Sequence, residues 1–174
     1  RIFSGIANNT FFGLNAGATN SGTDNTLIGT SAGSSITSGS GLTAVGVNAL
    51  SSNQDGSQNV AIGENAMLSN TSGFWNVGIG NEAMLNGSGG IANVAIGFGA
   101  MEDNEGGSNV AIGTLSLSRN TTGGNNIAIG RDAMFNNIDG SDNITIGFGS
   151  DVLAGNLNNA IAIGSGSRIA QDNA

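Results

Sequence analysis

A pentapeptide close to Asn-Val-Ala-Ile-Gly recurs along the chain and constrains the fold more than any other feature. It occurs unchanged at 59–63, 93–97 and 109–113, and in variant form in seven further copies. The glycines that close the ten copies follow one another at intervals of 16 or 17 residues. A fixed period of this length is typical of repeat proteins, in which each repeat forms one structural unit that stacks on its neighbours.

The three residues before each closing glycine have the alternation of a short β-strand. In one copy Val60 and Ile62 share one face of the strand, and Ala61 points to the other. β-Branched residues suit such a pleated surface. We expect the Val and Ile columns to fill the interior of each coil. The alanine column would then point outward, where a second copy of the chain could cover it.

A second apolar pair follows each glycine, as Ala66 and Met67 follow Gly63. We interpret this pair as part of a second short strand that contributes to the core. The glycine itself is expected to form a tight turn with a backbone conformation that other residues resist. The rest of each repeat, such as Asn70-Thr-Ser-Gly73, is rich in Asn, Ser and Gly and is typical of a loop.

Asparagine stands at the entry of the strand in eight of the ten copies. Stacked asparagine side chains can hydrogen-bond from one layer to the next, as they do in cross-β arrays. The alternative interpretation is an ordinary solvated turn residue. The ladder is the hypothesis that we prefer.

These patterns predict an all-β protein, a parallel β-roll or β-solenoid of about ten 17-residue coils over residues 9–168. Residues 1–8 are expected to form an N-terminal cap or partial coil, and residues 169–174 to begin the connection to a following module. The chain opens within the repeat pattern and shows no signal peptide, so we expect it to be part of a longer protein.

Composition excludes several functions. The net charge is −8 with four arginines as the only cations, which argues against nucleic acid or an anionic membrane as a partner. No apolar run approaches the roughly 20 residues that span a bilayer. With no His, Cys, Lys or Tyr, the usual pairs of nucleophile and base are missing, and we predict that the chain is not an enzyme.

The acidic residues could still form a carboxylate pair or a cation site. Glu64 and Glu82 are expected in the same turn of adjacent coils, and the segment 102–105 holds three acidic residues. We interpret both groups as solvated side chains at corners. The segment lacks the spacing of known calcium loops, so no catalytic residue, metal site or cofactor is predicted.

The copies at 93–97 and 109–113 resemble the head repeats of trimeric autotransporter adhesins of the YadA-like type. They are equally similar to the β-roll repeats of phage-tail-fibre-like proteins that carry an endosialidase-type intramolecular chaperone, which 25–29 matches best. The resemblance covers nearly the whole chain. It implies a left-handed roll that assembles as a homotrimer, outside the cell, on a bacterial surface or a virion fibre.

Two sets of candidate site residues follow. The only tryptophan stands beside a phenylalanine, Phe74-Trp75, in a loop that is polar in most other copies, and such aromatics anchor partners or stack on sugar rings. Packing at the edge of a trimer is the alternative, and Phe98 and Phe148 are candidates for plugging a junction between subunits. The expected core and trimer interface comprises Ala61, Ala95, Ala111, Ala128, Ala162, Ile62, Ile96, Ile112 and Ile129.

The function predicted from these features is adhesion to a cell surface, through a glycan or another envelope component, by a non-enzymatic fibre head or tip. The alternative is a structural spacer that holds a separate recognition domain away from the surface. A minor alternative is an ice-binding solenoid. An ice-binding face needs a long exposed threonine array, whereas here threonine occupies the first strand column only in the first three coils, at Thr10, Thr26 and Thr43.

Overall fold

The structure is a computed structural model that describes residues 2–5 and 8–171. Its regular elements are short β-strands, and the described residues include no helix that could cross a membrane. The strands are β1 (Ile2–Gly5), β2 (Asn9–Phe12), β3 (Thr26–Ile28), β4 (Thr43–Val45), β5 (Val60–Ile62), β6 (Val77–Ile79), β7 (Val94–Ile96), β8 (Val110–Ile112), β9 (Ile127–Ile129), β10 (Ile144–Ile146), β11 (Asp151–Val152), β12 (Ile161–Ile163) and β13 (Arg168–Ile169).

The strands of successive repeats stack in parallel and in register. Strands β2 to β10 and β12 form one continuous sheet, in which each strand pairs with the strand of the next repeat. Val60, Ala61 and Ile62 of β5, for example, lie beside Val77, Gly78 and Ile79 of β6. The chain is therefore a parallel β-solenoid, as the repeat predicts, and it has about nine turns where about ten coils were expected.

The two faces of the sheet are oriented opposite to the sequence-based expectation. The alanine column points into the coil: Ala61 and Ala95 are fully buried within their own chain. The flanking column points outward, and Ile62 and Ile96 are 38% and 37% exposed. Ala111, Ala128 and Ala162 are likewise buried, whereas Ile112 is exposed and Ile129 half-buried. The prediction that Val and Ile fill the coil was wrong.

The width of the coil explains this orientation. Opposite the strand stand the buried side chains of the second apolar pair, such as Ala66 and Met67. In the one repeat with glycine in the inward column, a Cβ added to Gly78 would lie only 2.9 Å from Cγ of Met67. A methyl group at this coil would already require Met67 to shift, so the interior has no room for a column of Ile side chains beside the methionines.

The second apolar pair belongs to the core, but it does not form a strand. The buried members of the larger column confirm the predicted core position: they are Leu50, Met67, Met84, Met101, Leu117 and Met134. The backbone is left-handed at Asn65 (φ 55°) and again at Met67 (φ 52°). Because these alternations interrupt an extended backbone, the predicted second strand is replaced by consecutive turns in most repeats.

The closing glycine is required by its conformation and by its neighbour. Gly63 has a φ of 139°, and a Cβ added to it would lie 2.3 Å from the carbonyl oxygen of Gly80 in the next coil. No side chain fits at that distance. The predicted role of the glycine in the turn is confirmed, and the close approach of the stacked coils adds a second reason for it.

The two ends of the solenoid differ. The strand β1, within the segment predicted as a cap or partial coil, pairs antiparallel with β2 and so covers the edge of the first coil. Residues 1, 6 and 7 of that segment lie outside the described residues. Near the other end, β13 pairs in parallel with β11, so residue 169 of the predicted connection still belongs to the stack. Residues 172–174 also lie outside the described residues.

Thr145 offers a test of the inward column, where it replaces alanine. Its side chain is fully buried, and its hydroxyl has no hydrogen-bond partner. A buried unsatisfied hydroxyl costs roughly 1–3 kcal/mol, so Thr145→Val should raise the free energy of unfolding by about 1 kcal/mol in chemical denaturation. The matched control Thr114→Val, at an exposed corner, should change it by less than about 0.5 kcal/mol. A loss of stability in Thr145→Val alone would contradict the inward placement.

Candidate functional site

Asparagine side chains link the coils inside the solenoid, as the ladder hypothesis predicts. The Oδ1 atom of Asn109 accepts a hydrogen bond of 2.9 Å from the backbone N–H of Asn126 in the next coil. Equivalent bonds of 2.8–3.0 Å join the first residues of most neighbouring repeats. The Nδ2 atom of Asn109 crosses the coil to the carbonyl oxygen of Gly123 at 2.9 Å. The rungs of this first ladder therefore run mainly from side chain to backbone.

A second ladder lies in the segments that the sequence suggested were loops. Nδ2 of Asn70 donates to Oδ1 of Asn53 at 2.7 Å, and Nδ2 of Asn137 donates to Oδ1 of Asn120 at 2.8 Å. These four asparagines are buried. The signal for them was present as a recurring Asn-x-x-Gly spacing. Its composition resembles a solvated turn, which is why the sequence did not identify it as core.

The second ladder also shows where the shorter repeats lose a residue. In a 17-residue repeat, Nδ2 of Asn120 donates to the carbonyl oxygen of Gly123, three residues on. In the two 16-residue repeats the same bond spans two residues, from Asn20 to Gly22 and from Asn104 to Gly106. The missing residue is therefore taken from this turn, and the stacked strands keep their register.

Removal of one rung should destabilise the solenoid strongly. Asn109→Ala removes the acceptor of the Asn126 N–H and the donor to Gly123 and leaves buried groups unpaired. At roughly 1–3 kcal/mol for each such group, we expect a loss of about 3 kcal/mol in the free energy of unfolding. Asn81→Ala, at a half-exposed corner, is the control and should stay within about 0.5 kcal/mol of the unchanged chain. Equal effects of the two substitutions would show that the ladder is not a main source of stability.

The outward columns form a flat apolar surface, which we call the Val/Ile face. Seven consecutive strands about 4.8 Å apart and three residues wide give it an area of about 290 Å². With Phe12, Ile28 and Val45, which lengthen it, this surface reaches the size of the largest apolar patch on a typical monomer, about 300–600 Å², and such a patch is often functional. The Val/Ile face comprises Val60, Ile62, Val77, Ile79, Val94, Ile96, Val110, Ile112, Ile127, Ile129, Ile144, Ile146, Ile161 and Ile163.

Phe74 and Trp75 lie at the corner that precedes strand β6. Trp75 is 59% exposed, and its ring meets that of Phe74 edge to face at a centroid distance of 5.0 Å. The indole N–H donates to the side-chain oxygen of Gln58 in the preceding coil. Ile91 and Ala92, at the equivalent places in the next coil, are also exposed. We call these four residues, Phe74, Trp75, Ile91 and Ala92, the aromatic corner.

The backbone of Trp75 is in an unfavourable conformation. Its φ is 61°, in the left-handed region, which costs roughly 1–2 kcal/mol for a residue with a Cβ and is rare for a bulky side chain. The same left-handed corner is occupied elsewhere by small or polar residues, for which it is common: Asp24, Ser108, Asn125, Asp142 and Asn159. Gln58 and Ala92 share this backbone conformation, so it belongs to the corner of every coil, and only the bulk and exposure of the side chain set Trp75 apart.

Phe98 and Phe148 follow their closing glycines and are 48% and 55% exposed. The guanidinium of Arg131 lies 5.3 Å from the ring of Phe148. Both rings stand at the corner of the solenoid after the strand, which is compatible with the predicted role at a subunit junction. That role stays a prediction.

The carboxylates of the predicted acidic groups belong to corner loops. Glu82 and Glu64 do lie in adjacent coils, joined by a backbone hydrogen bond of 3.0 Å. Burial, with Asp103 and Glu82 nearby, raises the pKa of Glu102. Glu105 accepts hydrogen bonds from the N–H groups of Ser88 and Gly89 in the preceding loop. The described residues hold no group of three or more acidic, His or Cys side chains arranged for a metal ion.

Asp151 is a buried carboxylate that the sequence did not indicate. It accepts hydrogen bonds from the backbone N–H and Nδ2 of Asn136, at 3.2 and 2.6 Å, and from the N–H of Val152 at 2.9 Å. Burial raises the pKa of Asp151, although these bonds and the charge of Arg168 oppose the rise. It borders a shallow cavity of about 320 Å³ that Phe135 also lines. With its oxygens occupied by the chain, Asp151 serves to fix the last coils.

Comparison of the chain with protein-family models, with curated proteins and with solved structures finds no match. Its function is therefore inferred from its own residues. Two surfaces stand out as unpartnered within the chain: the Val/Ile face and the aromatic corner.

Proposed function

We propose that this chain is a non-enzymatic head or tip module of a fibre, which assembles as a homotrimer and adheres to a cell surface through a glycan or another envelope component. The Val/Ile face is the observation that carries the proposal. A solenoid needs no apolar side chains on its outer surface to stack its own coils, since Ala, Met and Asn already fill the interior. An exposed apolar sheet face of this length is best accounted for by burial against further copies.

The distribution of charge supports assembly through this face. The chain carries a net charge of −8, yet the outward columns of β5 to β10 and of β12 contain only Val and Ile. Like charges would repel identical copies, and their exclusion from one face removes that cost. Because the side chains repeat at the spacing of the coils, copies with parallel axes can match their Val and Ile columns over the whole length.

The resemblance of the repeats to trimeric adhesin heads and tail fibres motivates two further parts of the proposal. These are the number of copies, three, and the left-handed sense of the coil. That resemblance also motivates the extracellular location, on a bacterial surface or a virion fibre. Because the Val/Ile face points outward, the contact between copies is made by residues such as Ile62, Ile96 and Ile112. Ala61 and its equivalents support that contact from inside the coil.

A structural spacer remains the second candidate function. The uninterrupted register of ten parallel strands favours it, because such a stack makes a stiff rod of about 43 Å at 4.8 Å per step. The aromatic corner favours adhesion, since a spacer gains nothing from an exposed Trp in a strained conformation. Binding of the assembled chain to whole cells would support adhesion, and assembly without any binding would support the spacer.

Charged substitution separates the two faces of the strand. Ile96→Asp places a carboxylate on the Val/Ile face, and we expect a folded protein whose mass in light scattering falls from three chains to one. Thr114→Asp, at an exposed corner of the next coil, adds the same charge off the face and should leave the trimer intact. Ala95→Asp should instead unfold the chain, because it buries a charge in the coil.

The oligomeric state of the unmodified protein tests the proposal directly. A stable monomer at micromolar concentration would overturn assembly through the Val/Ile face. A dimer that Ile96→Asp dissociates would keep the face as the interface and overturn the threefold symmetry.

A further inference from the structure

The aromatic corner has features of a recognition site rather than of a folding element. Trp75 occupies a left-handed backbone position, where the next coil has Ala92 and other coils have polar residues. The backbone conformation recurs in every coil, so what distinguishes this corner is the large aromatic ring, of which 59% is exposed. The corner therefore presents to solvent a large aromatic surface that the equivalent positions of other coils lack.

The ring of Trp75 is held in place before any ligand arrives. Its N–H is bound to Gln58 from the preceding coil, and Phe74 contacts it edge to face with an interplanar angle of 83°. Fixing both the polar edge and one flank of the ring limits its rotation. A preorganised aromatic surface lowers the entropic cost of binding and is a common feature of recognition sites.

The surroundings of the ring combine a small apolar area with polar groups. Ile91 extends the apolar area to the next coil, and beyond it the equivalent position is Gly107, where an added Cβ would lie 3.1 Å from the carbonyl oxygen of Ile91. The corner therefore carries no side chain at Gly107. In the preceding coil lies Gln58, whose side-chain oxygen accepts from the indole N–H and whose amide N–H groups can donate to a ligand.

We propose that Trp75, supported by Phe74, is a stacking platform for a neutral pyranoside of a cell-surface glycan. This inference rests on the proposed adhesive function and names its ligand class. A sugar ring offers a C–H face to an aromatic ring and hydroxyls to the neighbouring polar groups. The net charge of −8 disfavours sialylated and other acidic glycans as well as nucleic acid.

Other occupants fit this corner less well. One Trp, one Phe and one Ile give a smaller contact area than a protein partner usually covers. A second copy of the chain already has a larger apolar surface in the Val/Ile face. The aromatic corner is small and isolated, which matches a single sugar ring.

The only tryptophan of the chain makes the site directly observable, because all indole fluorescence comes from Trp75. Neutral gluco-, galacto- and manno-oligosaccharides are titrated into the unmodified protein, with sialyllactose as the acidic comparison. We expect a saturable change in tryptophan emission with at least one neutral series. The sialic acid of sialyllactose should cause no change of its own. Binding of the same sugar on a glycan array should fall at least tenfold in Trp75→Ala.

Two controls keep the result interpretable. Trp75→Ala places at this corner the residue that Ala92 provides in the next coil, so the variant should fold and assemble as the unmodified chain does. Phe98→Ala removes an aromatic of similar exposure outside the aromatic corner and should leave sugar binding unchanged. Circular dichroism and light scattering on both variants verify fold and assembly.

The outcomes separate this inference from the proposed function. Sugar binding that survives Trp75→Ala, or no binding of any neutral sugar by the assembled protein, would overturn the platform. A blue-shifted emission in the unmodified protein, together with loss of assembly in Trp75→Ala, would place the ring between copies and would also overturn the platform. Failure of assembly is detected independently by light scattering, and the monomeric Ile96→Asp variant should still show the fluorescence change at its single site.

Discussion

The hydrogen bond from an asparagine side chain to the backbone of the next coil is the interaction on which the rest of this structure depends. It satisfies the buried N–H at the entry of most strands, as Asn109 does for Asn126 at 2.9 Å. The same side chain reaches across the coil to the loop glycine. A short polar side chain thereby links two coils and the two sides of one coil, which allows a very narrow interior.

The narrow interior determines where the apolar residues go. Ala and Met fill the space that the two asparagine ladders leave, and Val and Ile are placed on the outside of the sheet. The surface that we propose for assembly is thus a consequence of the polar core. A wider coil would have buried Val and Ile in its own interior and would have had less reason to associate.

The period, the strand in each repeat, the glycine turn and the inter-coil asparagines were predictable because each depends on local sequence. The orientation of the strand was not, because alternation defines two faces without saying which is inside. Interior volume decides that question, and it depends on Asn70 and its equivalents, which have the composition of a loop. Trp75 was identifiable as the only tryptophan, whereas its left-handed backbone followed from a corner geometry that sequence alone does not reveal.

The turn that absorbs the missing residue in the 16-residue repeats has a consequence for how such a chain can change during evolution. Gain or loss of one residue at Asn104–Gly106 is contained within a single turn, and neighbouring strands stay aligned. Duplication or deletion of a whole repeat would preserve nearly every type of bond in the stack. Rod length can therefore change in steps of about 4.8 Å without redesign of the core, while surface residues diversify coil by coil.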